Sequence, residues 1–104
     1  MTKQNIKQIA QKYKLALIGN HIPVNAIYLF GSYAKGRPRP GSDIDFCVVS
    51  NIFGKDDFSE MVIINQIAKQ VAPEIEAFPV TDKELKNRTN PFIKEALKTG
   101  ERLI

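Results

Sequence analysis

Two aspartates set two residues apart, Asp43 and Asp45, are the side chains of this sequence best placed to do chemistry. They stand at the start of an apolar run, Ile44 to Val49, that reads as a strand. Residues i and i+2 of a strand point to the same face, so the two carboxylates lie side by side. Adjacent like charges repel, and burying them without a counter-charge is costly. A divalent cation resolves that conflict, and hard oxygen ligands at this density suit magnesium or manganese. Two aspartates capping an exposed strand end would show the same spacing, so the pair alone does not establish a metal.

A second pair precedes them. Gly31-Ser32 follows Ala26-Ile-Tyr-Leu-Phe30, a short run of strand formers. Gly31 lets the backbone approach a ligand closely. Ser32 opens a short helical turn, Ser32 to Lys35, whose free N–H groups and hydroxyl can receive phosphate oxygens. A glycine at a strand end with a serine cap is common in any fold. The whole arrangement is more specific than its parts: strand, Gly-Ser, the basic loop Gly36-Arg-Pro-Arg-Pro-Gly41, then Asp-x-Asp opening the next strand. It sets phosphate donors beside metal carboxylates. Nucleotidyl transfer requires that pairing, because metal ions bridge the triphosphate and neutralise charge on the departing pyrophosphate.

The elements that must position these groups follow from hydrophobic spacing. Ile6, Ile9, Ala10, Tyr13, Ala16 and Leu17 form one helical stripe over residues 3–18, with Thr2 as cap and Gly19 where a left-handed stop is wanted. A helix over about 58–71, capped by Asp57 and ended by Pro73, is expected to bury Phe58, Met61, Ile64, Ala68 and Val71. A third strand covers roughly 74–80, and Pro79 places it at an edge or a strand end. Thr81 and Glu84 have capping-box spacing for a short helix. Asn90-Pro91 opens a last helix that Gly100 stops. The order helix–strand–helix–strand–helix–strand–helices predicts an α/β (α+β) sandwich with a small sheet, in a single domain over 1–104.

Composition sets the outer bounds. With 43% apolar and 25% charged residues, the chain is expected to be a soluble globular protein, and no apolar run reaches membrane-spanning length. A single cysteine, Cys47, excludes an internal disulfide and suits a reducing, cytoplasmic setting. Cys47 is read as a small buried hydrophobe. His21 is the only histidine, which argues against zinc, and it is given no role. The net charge of +4 suits a polyanionic ligand, although it serves solubility equally well.

The sequence resembles the minimal nucleotidyltransferases of the DNA polymerase β-like superfamily, whose hallmark is Gly-Ser followed, after a short spacer, by Asp-x-Asp. Ten residues separate Ser32 from Asp43 here. Phe30 before the glycine, Tyr33-Ala-Lys-Gly36 after it and Ser42 before the first aspartate add to the likeness. It is strong over 28–49 and weaker over Ile75 to Pro79 and Asn90 to Glu95. The resemblance implies a nucleotidyltransferase fold with a small mixed sheet flanked by helices. It also implies Gly31 and Ser32 on the nucleotide, Asp43 and Asp45 on the metal, and a third carboxylate on a later strand that helps activate the attacking hydroxyl. Glu76 is the candidate for that carboxylate, and Glu74, directly after Pro73, is the competitor. Lys35 could reach the triphosphate, and Arg37 and Arg39 could contact nucleotide or acceptor, although each could equally be a solvated base.

The family usually uses ATP, so AMP transfer supported by Mg2+ or Mn2+ is expected. Stand-alone proteins of this type resemble the antitoxins of HEPN–MNT toxin–antitoxin pairs, which implies a heteromeric complex with a HEPN ribonuclease that is modified by AMP. Two other readings stay open: a module that silences its partner by occlusion alone, and the catalytic subunit of a small-molecule, aminoglycoside-type nucleotidyltransferase. The intact motifs favour an enzyme. Larger transferases of this fold carry a further domain for the acceptor, and 104 residues leave no room for one, so a partner is expected to supply it. Neither membrane association nor direct nucleic-acid binding is expected.

Overall fold

Helix α1 (Lys3–Gly19) begins where the sequence places its cap. The Asn5 N–H donates to Thr2 Oγ1 at 3.1 Å, and the Thr2 N–H donates back to Asn5 Oδ1 at 3.0 Å. This is a capping box with asparagine in the position glutamate usually holds. The helix ends differently from expectation. Gly19 is its last residue, Asn20 is the cap, and the left-handed position falls on His21, with φ 64°. Asn20 stops the helix with its own amide, which donates from Nδ2 to the Ala16 carbonyl at 2.7 Å, so the conformational freedom of Gly19 is not used. These descriptions come from a computed structural model that describes residues 2–34, 36, 41, 43–87 and 91–104.

The remaining elements are β1 (Ala26–Phe30), α2 (Gly31–Ala34), β2 (Ile44–Val49), α3 (Asp57–Val71), β3 (Ile75–Val80), α4 (Asp82–Asn87), α5 (Pro91–Thr99) and β4 (Glu101–Arg102). The sheet order is β3-β2-β1-β4. Strand β2 pairs antiparallel with β1 and parallel with β3, so α3 serves as the crossover that parallel strands need. The sheet is therefore mixed and β3 lies at its edge, where Pro79 removes no ladder bond. Strand β4 pairs antiparallel with β1 through Tyr28–Arg102 and Leu29–Glu101. No sequence pattern announced it, because two residues are too few to show a period.

Alternation along the strands divides the sheet into two faces. Ile27, Leu29, Ile44, Phe46, Val48, Ile75 and Ala77 join the main core with Ile6, Tyr13 and Leu17 of α1 and Ile64, Ile67 and Ala68 of α3. The opposite face carries a smaller cluster of Ala26, Cys47, Val49, Val80 and Ile93 of α5, flanked by Tyr28, Phe30, Leu85 and Leu97. Tyr13 links three elements of the main core. Its ring stacks on Phe46 of β2 at 6.1 Å, and its hydroxyl donates to the buried Ile64 carbonyl of α3 at 2.6 Å. Burial pushes that phenol well above its ordinary range, so it remains a donor.

Helix α3 buries Ile64 and Ala68 as expected, with Val71 packed against the core, and departs from its predicted face in its first turns. Its cap is Asp56, which accepts from the Ser59 N–H at 3.2 Å, and Asp57 is the first helical residue. Ile64, Ile67 and Ala68 are buried, whereas Phe58 is 77% exposed and Met61 37%. The first half of the helix is apolar nearly all round (Phe58, Met61, Val62, Ile63, Ile64), so periodicity could not select the face that meets the sheet. Further along, the Thr81–Glu84 capping box forms as expected, with bonds of 3.0 and 3.1 Å. Pro91 opens α5, while Asn90 lies outside the described residues.

Tyr13→Phe keeps the ring on Phe46 and removes only the hydroxyl that serves the Ile64 carbonyl. Urea unfolding should show a loss of about 1 kcal/mol. An unchanged midpoint would remove this bond from the account of how α1 and α3 are joined.

Candidate functional site

The antiparallel register sets Phe30, the last residue of β1, opposite Asp45 of β2, and the parallel register sets Asp45 beside Glu76 of β3. Phe30, Asp45 and Glu76 thus form one row across three strands, all on the face away from α1. The next row inward is Tyr28, Cys47 and Phe78, and the next is Ala26, Val49 and Val80. One end of this face is acidic and the rest is apolar. Phe30 and Phe78 meet edge to face across β2, with centroids 5.5 Å apart, and lay an aromatic floor beside the acidic row. Phe78 was not singled out in the sequence, although its position two residues after Glu76 puts it on the same face.

Gly31 turns the chain from β1 into α2 with φ 74°. A Cβ at this position would collide with Asp45 Oδ2 and lie 3.1 Å from its Cγ. Both the left-handed backbone and the close approach therefore require glycine. The sequence suggested that Gly31 makes room for a ligand. In the fold its missing side chain also makes room for the carboxylate of Asp45.

Asp45 is half-buried, and its carboxyl is pushed up to about 6, first by burial, then by the charges of Glu76 and Asp43. Asp43 and Glu76 are themselves exposed. Glu74 precedes β3, and its carbonyl accepts from the Ile44 N–H at 2.8 Å, so Glu76 and not Glu74 shares the row with Asp45. Among the described residues, no three acidic, histidine or cysteine side chains are gathered closely enough to form a ready-made metal cage. The structure brings Asp45 under the influence of both other carboxylates, which stand exposed. Cys47, one step inward, is buried, and its thiol is pushed up to about 12 by burial and by Asp45. It is a small apolar group and no nucleophile.

The phosphate half of the expectation is visible only in part. The backbone of Ser32 belongs to α2, while its side chain and all of Lys35, Arg37, Arg39 and Ser42 lie outside the described residues. A 280 Å³ concavity lies elsewhere, between α1 and β4, and is lined by Lys3, Gln4, Lys7, Glu101, Arg102 and Leu103. It contains none of the candidate residues.

The sequence profile of the family described as "Polymerase beta, Nucleotidyltransferase" matches residues 4–104. The chain belongs to this family. As a nucleotidyltransferase it is 31% identical over 97 residues to "Putative protein adenylyltransferase MJ1379" of Methanocaldococcus jannaschii, a match that covers 92% of this chain and 91% of that protein. A second protein of that archaeon with the same description, MJ1215, is 45% identical over 47 residues, covering 45% of this chain and 54% of the other. The fold matches a toxin–antitoxin crystal structure with AMP-PNP at a TM-score of 0.61 and 24% identity, over 89% of this chain and 71% of the other. It also matches a mutant MntA–HpeT toxin–antitoxin at 0.61 and 22%, over 90% and 71%. Enzymes of this class take a nucleoside triphosphate with divalent metal.

For the nucleotidyltransferase without metal, the raised carboxyl of Asp45 has a signed consequence. A carboxyl higher in the folded than in the unfolded state favours folding while protonated. That contribution is complete below about 4, the unfolded value, and is lost as pH rises through about 6. Asp45→Asn, measured in chelator, should therefore raise the melting temperature relative to the native protein at pH 7.5 more than at pH 4. Thermal melts at the two pH values check this, and an equal offset at both would contradict it.

Proposed function

We propose that this nucleotidyltransferase moves AMP from magnesium-bound ATP onto a hydroxyl side chain of a partner toxin, a HEPN-type ribonuclease, and so acts as its antitoxin. The observation that carries the reading is the acidic row, with Asp45 in register with Glu76, under the charge of Asp43 and packed against Gly31 at the strand-to-helix turn. The donor set suits a divalent cation. It consists of oxygen ligands around Asp45, whose carboxyl is raised first by burial and then by the charges of Glu76 and Asp43, and a hard cation offsets that charge. Asp43, Asp45 and Glu76 are assigned to that cation. Gly31 and Ser32 are assigned to the phosphates, with Lys35 and Arg37 adding positive charge. When bound, magnesium would offset the charge of the triphosphate and of the departing pyrophosphate.

In the transfer, the acceptor hydroxyl oxygen bonds to the α-phosphorus, and the bond from that phosphorus to the oxygen bridging to the β-phosphate breaks. Pyrophosphate leaves, and Glu76 takes the hydroxyl proton. A protein acceptor is supported by the likeness to the archaeal relative named as a protein adenylyltransferase. A toxin acceptor is supported by the toxin–antitoxin structures that share the fold. The HEPN class rests on the resemblance of the motif region to the antitoxins of such pairs.

Intact-mass spectrometry of a candidate HEPN-type partner, recovered after co-expression with this protein, tests the reading. Each transferred AMP should add roughly 329 Da, the mass of an adenylyl group replacing a hydroxyl proton. The same gain should appear in vitro only when both ATP and magnesium are supplied. A toxin that is silenced yet unmodified would make this chain an occluding binder and overturn the proposal.

A further inference from the structure

Strand β3 ends the sheet, yet the outward-facing backbone groups of Ala77 and the Ile75 carbonyl are already bonded. The carbonyls of Glu74 and Val80 accept from Ile44 and Ser50, at 2.8 and 3.2 Å, so the even-numbered residues of this segment bond toward β2. The odd-numbered residues therefore face away from the sheet. At this free edge the Ala77 N–H donates to Asn65 Oδ1 at 2.9 Å, and Asn65 Nδ2 donates to the Ala77 carbonyl at 2.8 Å. One side-chain amide thus makes both bonds that a neighbouring strand would make. The same Nδ2 donates to the Met61 carbonyl at 2.8 Å, which ties the amide to its own helix. One turn further along α3, Lys69 Nζ donates to the carbonyls of Ile75 at 2.6 Å and Pro73 at 2.8 Å. Pro79, the next outward residue, has no N–H to offer.

Blunting an exposed edge is one use of such a device. Its placement shows a second. The two outward residues held by α3 are Ile75 and Ala77, and they bracket Glu76. The Ile75 carbonyl belongs to the peptide group entering Glu76, and the Ala77 N–H to the one leaving it. The Glu76 side chain is exposed, so packing does not aim it. Its direction is set by the backbone that carries it, and both adjoining peptide groups are clamped from α3.

We infer that Asn65 and Lys69 are positioning residues that hold Glu76 in register with Asp45, where its carboxylate faces the divalent cation. The inference rests on the assignment of Glu76 to that cation under the proposed function. Groups that orient a metal ligand from behind commonly change metal affinity by about 10-fold to 100-fold when removed. The clamp works through the peptide group and not through the carboxylate itself, so the lower end of that range applies.

Manganese, followed by electron paramagnetic resonance at saturating ATP, is the probe, and it needs no acceptor and no turnover. Asn65→Ala should weaken Mn2+ binding about 10-fold and speed hydrogen exchange at the Ala77 amide. Asn65→Asp retains an acceptor for that amide and should recover most of the affinity, although it loses the donor to the carbonyl. The deciding variant combines Asn65→Ala with Glu76→Gln. If Asn65 acts through Glu76, the double variant should bind Mn2+ no more weakly than Glu76→Gln alone. Should Asn65→Ala fail to fold, Lys69→Met removes the other half of the clamp and should give a smaller loss that likewise vanishes in the Glu76→Gln background. Native affinity in a folded Asn65→Ala protein, or a loss that persists in full without Glu76, would overturn the positioning role and leave the Glu76 assignment standing. Native affinity in Glu76→Gln would remove that assignment and the clamp together.

Discussion

Carboxylates on adjacent strands of one sheet face repel one another, and burying any of them raises the cost. Much of the arrangement around β2 manages that repulsion. Asp45 lies between Glu76 on one side and the glycine turn on the other, with Asp43 two residues before it, and its carboxyl is raised accordingly. The chain can bring Asp45 against the end of β1 only because Gly31 has no side chain and accepts a left-handed backbone. The same face turns apolar one row inward, where Tyr28, Cys47 and Phe78 take over. Burial leaves the Asp45 charge less screened by water than those of exposed Asp43 and Glu76, and unscreened charge attracts a cation most strongly.

The second consequence concerns α3. As the crossover between parallel strands it has to lie over the main core, and Ile64, Ile67 and Ala68 bind it there. Asn65 and Lys69 reach past the sheet edge to β3. One helix thus joins core packing, edge protection and the backbone beside Glu76. The order of the elements makes this possible, because β3 follows α3 directly and returns along its flank.

Much of this was legible in the residues. The strand Ile44–Val49, the Thr2 cap, the Thr81–Glu84 box and the strand-to-helix turn at Gly31 follow from local rules, and the structure forms them. The nearness of Asp43 to Asp45 is equally local, although β2 begins at Ile44 and strand alternation therefore covers only Asp45. What escaped the sequence depends on non-local partners. The exposed positions of Phe58 and Met61 could not be read from a helix that is apolar nearly all round. The pairing of β4 with β1 depends on contacts between distant parts of the chain. Asn65 and Lys69 look like ordinary polar positions on a helix surface until β3 is seen beside them. The stop at Asn20 was misplaced by one residue, because a side-chain amide did the work expected of Gly19.

Under the proposed function, the Gly31 turn and the acidic row together form one site for a metal-bound nucleotide. Calorimetry of ATP with magnesium tests it most directly, on the native protein and on a variant carrying both Asp43→Asn and Asp45→Asn, with circular dichroism to verify that the variant is folded. Both substitutions keep the shape of the side chain and remove its charge. The native protein should bind, and the folded variant should give no magnesium-dependent binding heat. Equal affinity in the two proteins would contradict the account.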